Sequence, residues 1–211
     1  MAGKLILIAA QRAALSESLA GKIESSDGTS ARNTYVTRTG ITARSPSGAG
    51  AATPTGTVAG AGAAIALACD ATDRAAVRKT FDDIVLAYGG IDELVVTAGM
   101  FPTPGADGVT SDHDFMRAMQ VNVLAPAVLV EEAANIMVAQ KLACSAVVTT
   151  SVNAVVSKRG SSAYDASKAA ANHLVRSLAV TFAPHVRVNA VAPATVIEGS
   201  TMFPRARVIA S

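Results

Sequence analysis

Ser151-Val-Asn-Ala-Val-Val-Ser-Lys-Arg-Gly-Ser-Ser-Ala-Tyr164-Asp-Ala-Ser-Lys168 is the stretch of sequence that decides the fold. The β-branched, apolar run before it, residues 146–150, predicts a buried strand that ends at Ser151. The alanine-rich segment after it has apolar residues at helical spacing, and Pro184 predicts the end of that helix. The pattern therefore puts Ser151 at the end of a strand, and Tyr164 and Lys168 in the first turns of a helix.

The spacing of Tyr164 and Lys168 has a chemical meaning. Residues four apart on a helix share one face, with Cβ atoms about 5–6 Å apart. A free phenol titrates near pH ~10, and a neighbouring ammonium favours its ionised form. A tyrosine in this setting can act as a general acid or base, and Ser151 can hydrogen-bond the same substrate oxygen. The alternative is a solvated helix face without chemistry, and the rest of the chain decides between the two.

Length and composition bound the class of protein. We interpret the 211 residues as one domain, residues 1–211, and half of them are hydrophobic. No apolar run reaches the ~18 residues of a membrane span, and residues 4–10 favour a buried strand over a secretion signal. The net charge is +2 with both signs interspersed, so we expect neither a nucleic acid nor a membrane as partner.

The cysteines and histidines form no cluster in the sequence. Cys69 and Cys144 lie in or beside apolar runs, which favours buried thiols in a reducing compartment and a cytoplasmic location. The three histidines are isolated from one another, and surface or capping roles are expected for them rather than metal ligation; they are His113, His173 and His185.

Strand-like and helix-like segments alternate along the chain. The predicted strands are 4–10, 33–38, 65–69, 93–97, 146–151 and 186–191, and the predicted helices are 11–24, 73–88, 111–141 and 162–183. Residues 39–64 are low in complexity, and we interpret them as a flexible insertion. The alternation predicts an α/β fold with a doubly wound, mostly parallel sheet and helices on both faces.

Small or polar residues follow several of the predicted strands. Sheets of this type bind ligands at the carboxyl ends of their strands. The residues that fall there are Asp70, Ala98-Gly99, Ser151 and Pro193. Each also has a simpler interpretation: Asp70 as a turn residue before a helix cap at Asp73, Gly99 as the start of a loop, and Pro193 as a strand terminator.

These residues, with others between them, resemble the short-chain dehydrogenase/reductase family over roughly residues 64–211. Ser151, Tyr164 and Lys168 match the catalytic serine, tyrosine and lysine in type, order and spacing. Asn122, which could otherwise be a surface polar residue, matches the family's helix asparagine. The other matches are Asp70 with the acidic residue that binds adenine, Thr97-Ala98-Gly99 with Asn-Ala-Gly, and Asn189 to Pro193 with the Pro-Gly element, where Ala194 replaces glycine.

The resemblance implies a Rossmann-like oxidoreductase that transfers hydride between NAD or NADP and a small hydroxy or carbonyl compound. Tyr164 would be the acid/base, Ser151 would polarise and position the substrate oxygen, and Lys168 would favour the phenolate and bind ribose hydroxyls. Asn122 would hold a water and kink its helix, linking Lys168 to solvent. The implied cofactor-binding residues are Asp70, Ala71, Ala98, Gly99, Tyr164, Lys168, Pro193, Ala194, Thr195 and Val196.

One subgroup of the family is favoured by several shorter segments. Phe101-Pro-Thr-Pro, residues 150–156, Pro193-Ala-Thr-Val and residues 200–205 are similar to the dehydrogenase half of bifunctional rhamnulose-phosphate aldolase/alcohol (lactaldehyde) dehydrogenases. The sequence contains no aldolase domain. The resemblance also implies a homo-oligomer, a dimer or tetramer, in which helices 111–141 and 162–183 pair between subunits.

The sequence departs from the family pattern at both ends. A Gly-rich turn after the first strand binds pyrophosphate in the family, but strand 4–10 runs into Gln11-Arg12 without a glycine. Arg12 offers charge instead, and Arg38 favours the 2′-phosphate of NADP. Family members continue beyond the position of Ser211, so the expectation is an atypical N-terminus and a truncated C-terminus. A non-catalytic or cofactor-impaired module, acting as a subunit or fragment, is therefore the rival hypothesis.

Overall fold

The computed structural model describes residues 67 and 69–195 with their side chains. It also describes the backbone of four short strands at 35–36, 42–43, 55–58 and 62–65. The predicted strand 4–10, the predicted helix 11–24 and Val196 lie outside the described residues. So do Arg12 and Arg38, which bore on pyrophosphate binding and on the choice between NAD and NADP.

A three-stranded parallel sheet is the centre of the described fold. Its strands are β5 (Glu93–Val96), β6 (Cys144–Thr149) and β7 (Val186–Val191), with β6 in the middle. Val96 pairs with Val148, and Thr149 pairs with Val191, so the carboxyl ends of all three strands lie at one edge. The parallel α/β fold predicted from the sequence is confirmed.

Three of the predicted ligand-binding positions lie at the same distance in sequence from the end of the strand before them. Ala98 comes two residues after the end of β5, Ser151 two after the end of β6, and Pro193 two after the end of β7. Because the strands are parallel and in register, these three positions lie along one edge of the sheet. Asp70 does not share this relation, since no strand of the described parallel sheet precedes it.

The described residues contain four α-helices. They are α1 (Arg74–Tyr88), α2 (Asp112–Met119), α3 (Ala125–Gln140) and α4 (Ser162–Phe182), and a π-helical turn, Gln120–Leu124, joins α2 to α3. Asp73 caps α1 by accepting hydrogen bonds from the amides of Ala75 and Ala76, as predicted. Gly89, with φ of 81°, ends the helix in the left-handed conformation that favours glycine.

One face of the sheet forms the hydrophobic core with α3 and α4. Alternate strand residues are buried there, including Leu94, Val148 and Val188, and they join one cluster with Leu129 of α3 and Leu178 of α4. On α1, Val77 and Phe81 belong to the same cluster, and α1 packs against α3. The described helices that contact the sheet are α3 and α4. Helices on the second face therefore stay a prediction.

The prediction for residues 39–69 was wrong in two respects. Residues 39–64 contain strands rather than only a flexible insertion: β2 (Thr42–Ala43) pairs with β1 (Tyr35–Val36), and β3 (Thr55–Val58) pairs with β4 (Gly62–Ile65). Both pairs are antiparallel and separate from the central sheet. The predicted strand 65–69 ends at Ile65, because residues 62–65 pair locally with the strand just before them.

One helical stretch in the described residues is long and apolar enough to cross a membrane by length and composition. It runs from Asp112 to Gln140, and its most apolar window has a mean hydropathy of 1.5. Within the fold, 61% of that window is buried. We interpret the stretch as a core helix, since α3 supplies Leu129, Val130 and Met137 to the hydrophobic cluster.

Gln140 joins the end of α3 to the start of β5. Its Oε1 accepts a 2.7 Å hydrogen bond from the Ile91 amide, and its Nε2 donates a 2.8 Å bond to the Ile91 carbonyl. Ile91 is completely buried, and its amide depends on this side chain for a partner, while its carbonyl also accepts a 3.7 Å bond from Cys144 Sγ.

The substitution Gln140→Leu should lower the free energy of unfolding by about 1–3 kcal/mol, because it leaves the buried Ile91 amide without its partner and the Ile91 carbonyl with only the weak bond from Cys144 Sγ. Urea denaturation measures the change. Gln120→Leu is the matched control, since the side chain of Gln120 is exposed. Equal unfolding midpoints for the two variants would contradict the role assigned to Gln140.

Candidate active site

Lys168 is a buried cation at the carboxyl end of β6. Only 4% of the residue is exposed, and its Nζ donates a 3.0 Å hydrogen bond to the Thr149 carbonyl. The same Nζ lies 5.7 Å from the ring centroid of Tyr164, one helical turn earlier on α4. Burial lowers the pKa of Lys168 from 10.5 to about 8, because the charged form loses its hydration. The predicted approach of Tyr164 and Lys168 is therefore present in the structure.

Tyr164 is half-buried and stacks against an aromatic side chain. Its ring centroid lies 4.7 Å from that of Phe101, with an interplanar angle of 50°. Phe101 belongs to the loop after β5, so the contact links that loop to α4. Tilted ring pairs at this distance are favourable, and the packing restricts where the phenol can lie.

Ser151 is buried at the end of β6 and begins a short 3₁₀ turn, Val152–Ala154. Its Oγ accepts a 3.2 Å hydrogen bond from the Asn153 amide. A serine hydroxyl that accepts one bond can still donate its proton, which is what polarising a substrate oxygen requires. The turn packs against α4, the helix that carries Tyr164. That the Ser151 and Tyr164 oxygens meet at one substrate oxygen stays a prediction.

Asn122 lies in the π-helical turn and is almost completely buried. Its Oδ1 accepts from the Met100 amide at 2.8 Å, and its Nδ2 donates to the Met100 carbonyl at 3.0 Å and to Ser167 Oγ at 2.9 Å. Ser167 Oγ in turn donates a 2.7 Å bond to the Tyr164 carbonyl. The side chain of Asn122 thus connects the segment after β5 to α4.

The π-helical turn has an identifiable cause in the sequence. Pro126 has no N–H, so the helical donor that would bond the Asn122 carbonyl is missing. The Ala125 amide instead bonds the Gln120 carbonyl, five residues back. The Asn122 carbonyl therefore lacks its ordinary α-helical donor. The structure places a π-helical turn where the sequence predicted a kink, and the holding of a water by Asn122 stays a prediction.

Gly99 lies close to two of these polar side chains. A Cβ built on it would lie 3.5 Å from Lys168 Nζ and 3.4 Å from Asn122 Oδ1. Gly99 is exposed, whereas Ala98 beside it is buried in the core. The structure therefore brings Gly99, Asn122, Tyr164 and Lys168 together, as the sequence predicted.

The segment after β7 runs beside the Ser151 turn. The Pro193 carbonyl accepts a 3.1 Å hydrogen bond from the Val152 amide, and the Thr150 amide donates a 2.8 Å bond to the Val191 carbonyl. Pro193, Ala194 and Thr195 are all exposed. Their backbone thus lies next to Ser151, where the sequence predicted a cofactor contact.

Asp70 and Ala71 stand apart from this cluster. Asp70 Oδ1 accepts from the Thr72 amide at 2.9 Å and from the Thr72 hydroxyl at 2.7 Å, which is an Asx-type turn leading into the Asp73 cap. Ala71 is buried in the core. The turn interpretation of Asp70 is thus present in the structure, and contact of either residue with an adenine ring stays a prediction.

Asp165 is a buried site residue that sequence reasoning missed. Its carboxylate accepts hydrogen bonds from Asn153 Nδ2 at 2.7 Å, from Ser161 Oγ at 2.9 Å and from the Lys158 amide at 2.8 Å. Burial alone would raise the pKa of Asp165, but these three bonds outweigh it and hold the pKa below its ordinary value. Its position directly after Tyr164, in the first turn of α4, was the available signal.

The burial of Lys168 predicts a specific pH dependence of stability. Below pH 8 both the folded and the unfolded states carry the charge, so the cost of burying it is present in full. Between pH 8 and 10.5 the unfolded state binds more protons, and the folded state gains stability as pH rises. Relative to Lys168→Met, the wild type should gain about 3 kcal/mol over this window, as measured by urea denaturation.

Lys79→Met is the matched control for this measurement. Lys79 is exposed and pairs with Asp83, and their hydrogen bond raises the pKa of Lys79. Its stabilising contribution is lost only as pH rises beyond its unfolded value, so no gain is expected between pH 8 and 10.5. A stability difference for Lys168→Met that stays constant over this window would contradict the burial of the cation.

Comparison with known proteins gives a family and several relatives. The short chain dehydrogenase profile matches residues 38–206. Short-chain dehydrogenase reductase 5 of Arabidopsis thaliana is 37% identical over 136 residues, which are 64% of this chain and 52% of that protein. The uncharacterized oxidoreductase YuxG of Bacillus subtilis is 34% identical over 140 residues, which are 66% of this chain and only 20% of that protein.

Solved structures share the fold. NAD+-bound xylitol dehydrogenase superposes with a TM-score of 0.57 at 31% identity, over 60% of this chain and 48% of that chain. The chain thus spans about half the length of the first curated relatives and solved structures that it matches.

Proposed function

Because the chain belongs to the short-chain dehydrogenase family, we propose that it is an NAD(P)-dependent oxidoreductase of a small hydroxy or carbonyl compound. The observation that carries the proposal is the buried Lys168 ammonium, bonded to the Thr149 carbonyl and 5.7 Å from the Tyr164 ring. A buried cation next to a phenol favours proton exchange by that phenol, and family membership supports this use of the pair.

The residues around Lys168 fit the nicotinamide end of a dinucleotide. Lys168 has three N–H donors, of which one is bonded to Thr149, so donors remain for ribose hydroxyls. Gly99, exposed and without a side chain, allows a ligand to approach closely beside it. NAD is bound in a related solved structure, and NADP is the other cofactor that the proposal admits. The bound nicotinamide supplies or accepts the hydride at the substrate carbon.

Tyr164 and Ser151 handle the substrate oxygen in this proposal. When a carbonyl is reduced, Tyr164 donates its phenolic proton to the oxygen while the Ser151 hydroxyl donates a hydrogen bond to it. In the reverse direction the tyrosine takes the proton from the alcohol. Lys168 stabilises the phenolate that carbonyl reduction leaves and from which alcohol oxidation starts, and the Asn122 carbonyl suits a water that exchanges this proton with solvent.

The proposed substrate belongs to a narrower class than the hydroxy and carbonyl compounds named above. Phe101, Val155 and Val156 lie near Ser151 and Tyr164 in sequence or space, and the two valines are strongly exposed. We propose a small substrate such as a lactaldehyde-like compound, following the resemblance to rhamnulose-phosphate aldolase/alcohol dehydrogenases.

The substitution Tyr164→Phe should abolish measurable turnover, a loss of at least the ~10²- to 10⁴-fold that a general acid or base contributes. The assay follows NADH or NADPH absorbance with lactaldehyde as the carbonyl substrate. Tyr88→Phe is the matched control, because Tyr88 lies at the end of α1, away from the site. Undiminished turnover in Tyr164→Phe would remove Tyr164 from its role.

The rival function, a non-catalytic or cofactor-impaired module, is favoured by the absence of glycine between residues 4 and 15. Titration of the wild type with NADH and NADPH, followed by fluorescence, separates the two. Binding of either cofactor, retained in Tyr164→Phe, supports the enzyme. No binding of either at millimolar cofactor would favour the rival.

We also propose a cytoplasmic homo-oligomer, a dimer or tetramer in which α2, α3 and α4 pair between subunits. The exposed faces of these helices carry apolar residues, including Met116, Val138 and Val180. Light scattering at micromolar concentration should give at least twice the chain mass of 21.3 kDa. A monomer at that concentration would refute the assembly.

A further inference from the structure

We propose that Asp165 is a positioning residue that fixes the Ser151 hydroxyl relative to Tyr164. The inference rests on the proposed function, because it concerns the two groups that would hold the substrate oxygen. Asp165 itself neither touches those groups nor takes part in proton transfer. It acts through Asn153 and through the loop between Ser151 and α4.

The carboxylate of Asp165 accepts hydrogen bonds from three positions of this loop. Asn153 and Ser161 donate to Oδ1, and the Lys158 amide donates to Oδ2. Asn153, Ser161 and Asp165 are all more than nine-tenths buried. The residues between them, 155–159, are exposed. The loop is therefore held mainly by polar bonds that meet at one carboxylate.

Asn153 connects the carboxylate to the serine. Its side chain bonds Asp165 at 2.7 Å, and its backbone amide bonds Ser151 Oγ at 3.2 Å. If the side-chain bond is lost, Asn153 can rotate, and the hydroxyl of Ser151 loses its fixed donor. Asp165 directly follows Tyr164 on α4. The same carboxylate therefore fixes the position of Ser151 relative to the helix that carries the phenol.

The other side of the Tyr164 turn is fixed separately. Ser167 bonds the Tyr164 carbonyl and accepts from Asn122, which is bonded to Met100. With the helix held there, loss of the Asp165 contacts should displace Ser151 rather than Tyr164.

An apolar residue of similar size tests this role, because an asparagine can rebuild the contacts. The backbone amide of Lys158 can only donate, but the Ser161 hydroxyl and a turned-over Asn153 side-chain amide can both accept from the NH₂ group of an asparagine. The substitution Asp165→Leu keeps the approximate size of the side chain and removes all three acceptor contacts.

The kinetic test is a double-mutant cycle with Ser151→Ala. Asp165→Leu should lower kcat by about tenfold or more, since small misplacements of catalytic groups have effects of this size, while the NADH or NADPH dissociation constant changes less than twofold. In the Ser151→Ala background, Asp165→Leu should lower kcat less than twofold further. Equal factors in both backgrounds, or an unchanged kcat in the single variant, would overturn the proposal.

Amide hydrogen exchange tests the same linkage without turnover. Asp165→Leu should speed exchange at least tenfold at the Lys158 amide and also at the Asn153 amide, which bonds Ser151 and not Asp165. Amides of β6 should keep their wild-type rates, which excludes global destabilisation. Asp83→Leu is the matched control, because Asp83 pairs only with Lys79 among the described contacts.

The two possible failures are distinguishable. Wild-type protein that neither binds nor turns over with either cofactor refutes the proposed function. An unchanged exchange rate at Asn153 in Asp165→Leu refutes the positioning role, whether or not the wild type is active.

Discussion

The hydrogen bond from the buried Lys168 ammonium to the Thr149 carbonyl is the constraint on which the rest of the site depends. A buried charge without a partner is strongly unfavourable, so α4 must place Lys168 against an acceptor. Thr149, the last residue of β6, offers its carbonyl there. This bond sets where α4 lies along β6, and it thereby sets the position of Tyr164 one helical turn before Lys168.

Buried polar groups on both sides of Tyr164 complete this arrangement. Asn122 and Ser167 bond the helix from the side of β5, and Asp165 and Asn153 bond it from the side of the Ser151 turn. A buried polar network rigidifies a site when all its members have partners, and each of these side chains has one or more. The π-helical turn belongs to the same arrangement, because it carries Asn122, whose side chain bonds Met100. Pro126 lacks the N–H that would bond the Asn122 carbonyl.

Much of this was predictable from local sequence patterns. The strand 186–191, the helix from 162 and the Asp73 cap follow from apolar periodicity and cap chemistry, which depend on neighbouring residues only. The spacing of Tyr164 and Lys168 likewise fixes a shared helix face. The strand 146–151 was predicted two residues late, because its bounds are set by pairing with β7 and not by its own apolar run.

The features that were missed depend on contacts distant in sequence. Nothing near Asp165 indicates that Asn153 will donate to it, since the two residues meet only when the loop folds back on α4. The strand pair of residues 55–65 was hidden by a low-complexity composition that resembles a linker. The role of Asp70 was open for the same reason: an aspartate after an apolar run suits both a ligand contact and an Asx turn.

The central claim, that Ser151 and Tyr164 act on one substrate oxygen beside Lys168, is tested most directly by a crystal structure with NADH or NADPH and a small carbonyl compound bound. The account predicts Ser151 Oγ and Tyr164 Oη each about 2.6–3.2 Å from the carbonyl oxygen. Two hydroxyl groups that face different sides of the molecule, with no common oxygen within reach, would contradict it.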